Sequence, residues 1–455
     1  MVSRRSFLGG SAAALSAARR APAAARRPNC IVFLADDLGC TDIGCYGAAD
    51  LQTPHLDALA SSGARFTNWY SNAPVCAPSR GALMTGGYPQ RNGLVVNGTP
   101  LRPSERTVAA LLKERGYRTA ITGKWHLGSP DTPASVPNAH GFDHFFGFHS
   151  GCIDYYSHRY YWGEPRKVNY HDLYRNREEI FEDGQYMTEM ISREARAFLG
   201  RPSTDPFFLY VPFNGVHYPM HAPKKYLDRF PAAMDPERRT YAAMLAAVDD
   251  AVGEILGAVR KMGQLDNTLV FFLADNGATR EPRAGLDQKP ATAGHNGVYR
   301  GWKFSLFDGG MHVPGIMSWP GHIPAGRAVR ELAMTVDVLP TVLAAAGAPL
   351  PGDRTYDGRD ILPVARGTAA SPHEAVFWSS DGQLAVRRGN WKLVKEGFTA
   401  DGTPTGRRRM QGEDALFLSD LERDPGETTN RRHDQPRLVD ELATLAERWL
   451  EEVKQ

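Results

Sequence analysis

The chain has 455 residues, 42% hydrophobic and 23% charged, with a formal net charge of +2. This is ordinary globular composition with material for a large core, and it suits two domains or one large and one small. The charge balance offers no nucleic-acid surface, and no apolar run is long enough for stable insertion across a bilayer.

The first 28 residues are not domain-like. Ser3-Arg4-Arg5-Ser6-Phe7-Leu8 is followed by "GGSAAALSAA" and then by "APAAA", small residues suited to cleavage. The stretch resembles a twin-arginine export signal, which implies a periplasmic or otherwise exported protein that leaves the cytoplasm already folded.

Beyond the leader, "NCIVFLADD" reads as a buried strand ending in acids. In "TPHLDALASSGARF", Thr53 suits a helix cap, Pro54 the first helical position and Gly63 the stop. "SERTVAALLKERGYRTAITGKWHLG" predicts a helix with Val108, Leu111 and Leu112 inward, a stop at Gly116, and a strand running into Lys124 and His126. "DPFFLYVPFNGVHYP" is a strand leading to His217, and Asp235 to Gly263 is a helix capped by Asp235 and opened by Pro236. "NTLVFFLADNG" is a further strand, ending at Asp275 and Asn276. This β-α alternation predicts an α/β fold, a large and mostly parallel sheet flanked by helices, over residues 29–365. From 366 to 455 the texture changes to short antiparallel strands in "AVFWSSDGQLAVRRGNWKLVKEG" and a terminal helix in "PRLVDELATLAERWLEEVK", a smaller α+β domain. Arg407-Arg408-Arg409 reads as a solvated loop.

Five cysteines, Cys30, Cys40, Cys45, Cys76 and Cys152, leave at least one unpaired and lack the repeated Cys-x-x-Cys spacing of a zinc site. Small buried apolar residues are their plain reading. Cys76 differs by its company, "APVCAPSRGALMTGG".

The strand ends carry the chemistry. Asp36 with Asp37, Lys124 with His126, His217, and Asp275 with Asn276 each follow an apolar strand, and ligands in open α/β sheets bind beyond the carboxyl ends of parallel strands. Asp36, Asp37, Asp275 and Asn276 supply only oxygen, and crowded carboxylates repel unless a cation sits among them, so the set suits calcium or magnesium better than zinc. Lys124, His126, His217 and Lys303, joined by Arg80, form a cationic half. Together the two halves suit a tetrahedral oxyanion such as sulfate or phosphate.

"CAPSRGALMTG" resembles the signature of the type I sulfatases of the alkaline-phosphatase superfamily, and the similarity extends through "ADD", "TPHLDALA", "GKWHLG", "ADNG" and "GGMHVPG" in the expected order. The texture is closest to bacterial relatives of arylsulfatase A and N-acetylgalactosamine-6-sulfatase. The resemblance implies an alkaline-phosphatase-like sheet and a formylglycine-generating enzyme that converts Cys76 to Cα-formylglycine. It further implies that the hydrated aldehyde forms a covalent sulfate ester and then releases sulfate by elimination. One calcium ion would be held by Asp36, Asp37, Asp275 and Asn276 and touched by residue 76. Arg80 would hold the formylglycine, and His126 would take the hydroxyl proton. Lys124, His217 and Lys303 would grip sulfate, with His217 or Lys303 protonating the leaving oxygen. Pro78 and Ser79 would be signals for the modifying enzyme.

Around Lys303 the sequence departs from the family's commoner Gly-Lys, Glu-Gly-Gly and Arg: Trp302, Asp308 and His312 take those places. His217 directly follows its strand, whereas His221 would contact substrate. The segment "CIDYYSHRYYWGEPRKVNYHDLY" offers rings that either stack on sugars or pack an irregular insertion, and "GATREPRAGLDQKPATAGHNG" is expected to border the pocket. A sulfated glycan leads a small sulfate ester as substrate. Two alternatives stay open: a formylglycine-dependent phosphodiesterase or phosphonate monoester hydrolase, and a catalytically silent glycan-binding homologue in which Cys76 remains a thiol.

Overall fold

A computed structural model describes residues 26–161, 169–281, 290–399 and 408–454. The leader sequence through residue 25, the centre of the aromatic segment and the tip of the 277–297 loop therefore lie outside the described residues.

Ten strands form one sheet in the order Arg327–Val329, Ala64–Phe66, Gly315–Ser318, Thr268–Ala274, Asn29–Ala35, Phe207–Pro212, Arg118–Lys124, His144–Phe148, Tyr174–Arg175, Glu178–Glu179. The pairings from Thr268–Ala274 through His144–Phe148 are parallel, and Gly315–Ser318 and Tyr174–Arg175 flank them antiparallel. The parallel strands read as near-continuous Val, Ile, Leu and Phe because both faces are covered: every residue of Asn29–Ala35 and Thr268–Ala274 is buried. One helix group joins Pro54–Ser61, Met187–Leu199, Lys224–Leu227 and Pro236–Lys261; another joins Cys76–Thr85, Val108–Lys113 and Val338–Ala345. The long helix follows its sequence closely. Asp235 accepts the Arg238 amide at 2.9 Å, and Tyr241, Leu245, Val248, Val252, Ile255 and Val259 form the buried stripe. Truncating one of these large side chains to Ala would cost about 2–5 kcal/mol.

Two helix-end expectations do not hold. Thr53 makes no cap bond; its hydroxyl instead accepts the Gly44 amide at 2.8 Å, tying the helix to the preceding turn. The helix ends at Ser61, and Gly63 serves a close approach: a Cβ there would meet the Met317 carbonyl oxygen at 2.2 Å. Four cysteines are buried and Cys45 is half-buried, with no disulfide among them. Cys76 is not in a turn but opens the helix Cys76–Thr85, all of whose residues are buried, and Gly86 in the left-handed region (φ 69°) ends it. Pro78 falls in the first turn, where its missing N–H costs nothing.

The C-terminal part is a four-stranded antiparallel sheet, Ala375–Ser380, Gln383–Arg388, Trp391–Lys395 and Leu416–Asp420, with helix Pro436–Glu452 packed on it through Val439, Leu442, Ala446 and Trp449. Its core extends into the larger part through Tyr70, Tyr88, Leu306, Phe307 and Met311. Arg408 and Arg409 are not simply a solvated loop; they pair with Phe398–Thr399 as a two-stranded ribbon.

A buried ionic cluster fastens the two parts. Lys392 Nζ donates to Asp308 Oδ1 at 2.6 Å and lies 3.3 Å from Glu427 Oε1. Glu427 Oε2 accepts the Asp308 amide (2.6 Å), Tyr70 donates to Asp308 Oδ2 (2.6 Å), and Arg387 donates to the Tyr70 hydroxyl (2.6 Å).

Candidate functional site

The four adjacent parallel strands Thr268–Ala274, Asn29–Ala35, Phe207–Pro212 and Arg118–Lys124 release their chains at one sheet edge. Asp36 continues the backbone ladder, its amide donating to Gly215 O at 2.9 Å. Asp37 then turns the chain in the left-handed region (φ 57°), a conformation Asp tolerates better than most residues. Its amide donates to Asp275 Oδ1 at 3.1 Å, so the two acid-bearing strand ends are locked together. His126 makes the corresponding turn after Lys124, with φ 56°.

These turns gather the predicted residues. Cys76 Sγ lies 3.6 Å from Asp36 Oδ1 and 3.9 Å from Asp37 Oδ1. Arg80, one helical turn on, places Nη2 2.7 Å from Asp275 Oδ2 and 3.2 Å from Asp36 Oδ1. Lys124 donates to Asp36 Oδ2 (2.7 Å) and Lys303 to Asp37 Oδ2 (2.9 Å). Asn276 donates to Asp37 Oδ1 (2.8 Å). His217 Nδ1 is bound to the Tyr218 carbonyl (2.8 Å), which directs Nε2 toward Lys303 Nζ at 3.3 Å and Asp37 Oδ2 at 3.6 Å. The Tyr155 hydroxyl fixes that loop from the far side, 2.7 and 2.8 Å from the carbonyl oxygens of Asn214 and His217.

Burial and neighbouring charge set the ionisation states. Burial opposes the charge on Asp36, yet Lys124, Arg80 and Lys303 outweigh it and hold its carboxyl below the usual range. Asp37 moves the other way: burial, reinforced by Asp36, Asp275 and Glu281, pushes it up to about 7 against the pull of Lys303. Burial raises the Cys76 thiol. Burial also lowers His126, helped by Lys124 and Arg80, and lowers His217, helped by Lys303 and Lys124, so both imidazoles are neutral bases at ordinary pH. Lys303 stays firmly charged because Asp37 and its neighbours overcome the cost of burial.

This floor opens into a cavity of about 1300 Å³ lined by Cys76, His126, His217, Glu281 and Lys303, with Tyr160, Tyr170 and Tyr174 on its wall. Lys124 is fully buried beside Asp36 and is not among the residues lining the cavity. His221 is not among the lining residues and pairs with Asp154 at 3.4 Å. Among the lining segments that carry no motif are Val95–Pro100, and Ser380 with Asp381 at a hairpin tip of the C-terminal sheet. An Asp-Gly hairpin is readable in sequence, but where its tip points is set by the anchoring of a separate sheet.

The substitutions around Lys303 also have a physical account. Lys303 is held by its own amide, which donates to Ala278 O at 3.0 Å, and by Asp37, Glu281 and His217. Trp302 instead lies under the Arg280 guanidinium (3.9 Å), Asp308 belongs to the interdomain cluster, and His312 bonds the Thr67 carbonyl at 2.8 Å while stacking on Tyr70.

The donor set fits a hard divalent cation. Asp36, Asp37 and Asp275 are buried carboxylates that crowd one point, and the buried Asn276 Oδ1 accepts no hydrogen bond among the described residues. A carbonyl oxygen left unpaired beside carboxylates is a costly arrangement for an apoprotein and a good one for an oxygen-seeking ion.

A family model described as Sulfatase matches residues 28–348. Arylsulfatase A of Bos taurus is 35% identical over 475 residues, covering 95% of this chain and 87% of that protein. N-acetylgalactosamine-6-sulfatase of Canis lupus familiaris is 35% identical, covering 84% of this chain and 73% of that protein. Among solved structures, Ps i-CgsB in complex with k-i-k-neocarrahexaose superposes with a TM-score of 0.82 at 32% identity, covering 94% of both chains.

Proposed function

Because the chain belongs to the sulfatase family, we propose that it hydrolyses sulfate monoesters on a glycan, using Cys76 as Cα-formylglycine and one bound calcium ion. The observation that carries this reading is the meeting of Cys76 with Asp36 and Asp37 on the floor of a cavity that His126, His217 and Lys303 also line. The carbohydrate-bound structural relative and the tyrosines of the wall support a sugar in the outer cavity.

Asp36, Asp37, Asp275 and Asn276 would hold calcium, which supplies positive charge for the attacking and sulfate oxygens. Formylglycine supplies, as its hydrate, one hydroxyl that attacks sulfur and a second whose deprotonation later releases sulfate. Arg80, pinned by Asp275 and Asp36, orients residue 76 and compensates its negative charge. His126, neutral and with Nδ1 unpartnered among the described residues, accepts the hydroxyl proton. Lys303 binds a sulfate oxygen and, with His217 beside it, delivers a proton to the leaving alcohol oxygen. Lys124 raises the potential from below.

Cys76 and Ser79 are buried in the folded protein. An enzyme reading Cys76, Pro78 and Ser79 must therefore meet the chain before it folds. With the twin-arginine-like leader, that supports oxidation in the cytoplasm and a working enzyme outside it.

Matched aryl sulfate and aryl phosphate diester substrates test the reading. Faster sulfate turnover is expected, and faster diester turnover would establish the phosphodiesterase alternative instead.

A further inference from the structure

The cavity wall carries a second group of ligand-type side chains. His158 is fully buried with φ 53°, and its Nε2 is 3.1 Å from the Gln185 carbonyl oxygen. His171, 7% exposed, has Nδ1 3.0 Å from Glu179 Oε1. The remaining ring nitrogens, His158 Nδ1 and His171 Nε2, are buried and have no hydrogen-bond partner among the described residues. The rings stand 6.2 Å apart at 80°, and one nitrogen of each lies, together with a carboxylate oxygen of Asp183, within a mutual 4.8 Å.

We propose that His158, His171 and Asp183 bind a zinc ion. The outer hydrogen bonds fix the tautomers. A carbonyl and a carboxylate can only accept, so His158 Nε2 and His171 Nδ1 carry the protons and the two unpartnered nitrogens present lone pairs. Metal-bound histidines are oriented in this way, with the far N–H on a carboxylate or carbonyl.

Two imidazoles and one carboxylate suit zinc rather than the oxygen-seeking calcium of the cavity floor. Asp183 is exposed in a turn, so a change of its side-chain rotamer would close the set onto metal bonds of about 2.0–2.2 Å. It also gives the ion a path from solvent. A fourth, tetrahedral position is left for water.

The site would clamp an irregular wall. His158 follows the turn 155–157, His171 bridges to Arg159, and Asp183 precedes helix Met187–Leu199. His171 and Glu179 also line the large cavity, so zinc would stiffen one rim of it. Its loss should raise KM more than it lowers kcat.

The test is zinc titration of the full chain in excess calcium, read by metal content and by the visible spectrum of the cobalt-substituted protein. Asp36, Asp37, Cys76 and His217 also lie within 4.8 Å of one another, so Cys76→Ser serves as the control. Expected is one zinc per chain in the wild type and in Cys76→Ser, with a tetrahedral cobalt spectrum. Binding should weaken at least tenfold in His171→Gln and Asp183→Asn, and about 10- to 100-fold in Glu179→Gln. Equal zinc binding in His171→Gln and Asp183→Asn, loss only in Cys76→Ser, or no zinc in the wild type would overturn the proposal. Asp183 is an exposed turn residue, so its variant tests the site even if a histidine variant does not fold.

Discussion

Two ionic clusters among the described residues, one on the cavity floor and one between the large sheet and the C-terminal sheet, differ in how completely their polar atoms are used. In the interdomain cluster, Asp308, Lys392, Glu427, Tyr70 and Arg387 satisfy one another, and Lys392 is wholly shielded from solvent. On the cavity floor, three carboxylates crowd together, and Asn276 Oδ1 and His126 Nδ1 have no partners among the described residues. Burial of charge is common to both. Surplus acceptors beside an open cavity mark the first as a place for ligands, and mutual satisfaction marks the second as a fastening.

Mutations should separate the two. Cys76→Ala is expected to lower kcat by about 10⁴-fold or more while leaving the thermal midpoint nearly unchanged; a large stability loss would make Cys76 a core residue first. Lys392→Met should do the reverse. It leaves Asp308 and Glu427 uncompensated, at about 3–5 kcal/mol of stability, with the folded fraction keeping its kcat in denaturant-calibrated assays.

A third prediction concerns acid. His312 abuts the interdomain cluster, and burial lowers it from 6.5 to about 4 although Asp308 opposes the shift. Its folded pKa lies below its unfolded value, so its contribution is present above pH 6.5 and is lost as pH falls from 6.5 to about 4, up to about 3 kcal/mol. His312→Gln, which does not titrate, should flatten that limb in urea melts taken across the range. A more local change acts on the floor alone. A Cβ at Gly151 would meet His126 Nε2 at 2.8 Å, so Gly151→Ala should cost about tenfold in kcat, or ~1.4 kcal/mol, with KM little altered.

Much of the floor was legible in the sequence because polar residues at the ends of apolar strands have few places to go. Once Asn29–Ala35 and Thr268–Ala274 are buried parallel neighbours, Asp36, Asp37, Asp275 and Asn276 must meet. What the sequence did not yield depends on contacts between distant segments. Thr53 looked like a cap and was taken by Gly44. Asp308 looked like a misplaced support for Lys303 and is the partner of Lys392, 84 residues away. His158, His171 and Asp183 have no motif spacing, and only the folding of an irregular wall brings them together. The cysteine helix was missed because "CAPSRGALMTG" lacks a helical apolar stripe; it needs none, since all its faces are buried.

The central claim is that residue 76 works as an aldehyde. The direct measurement is the mass of the Cys76 peptide from protein co-expressed with a formylglycine-generating enzyme, taken beside aryl sulfate turnover of the same preparations. Turnover should rise in proportion to the fraction in which CHO has replaced the CH2SH side chain. Full turnover from protein carrying only the thiol would contradict the account.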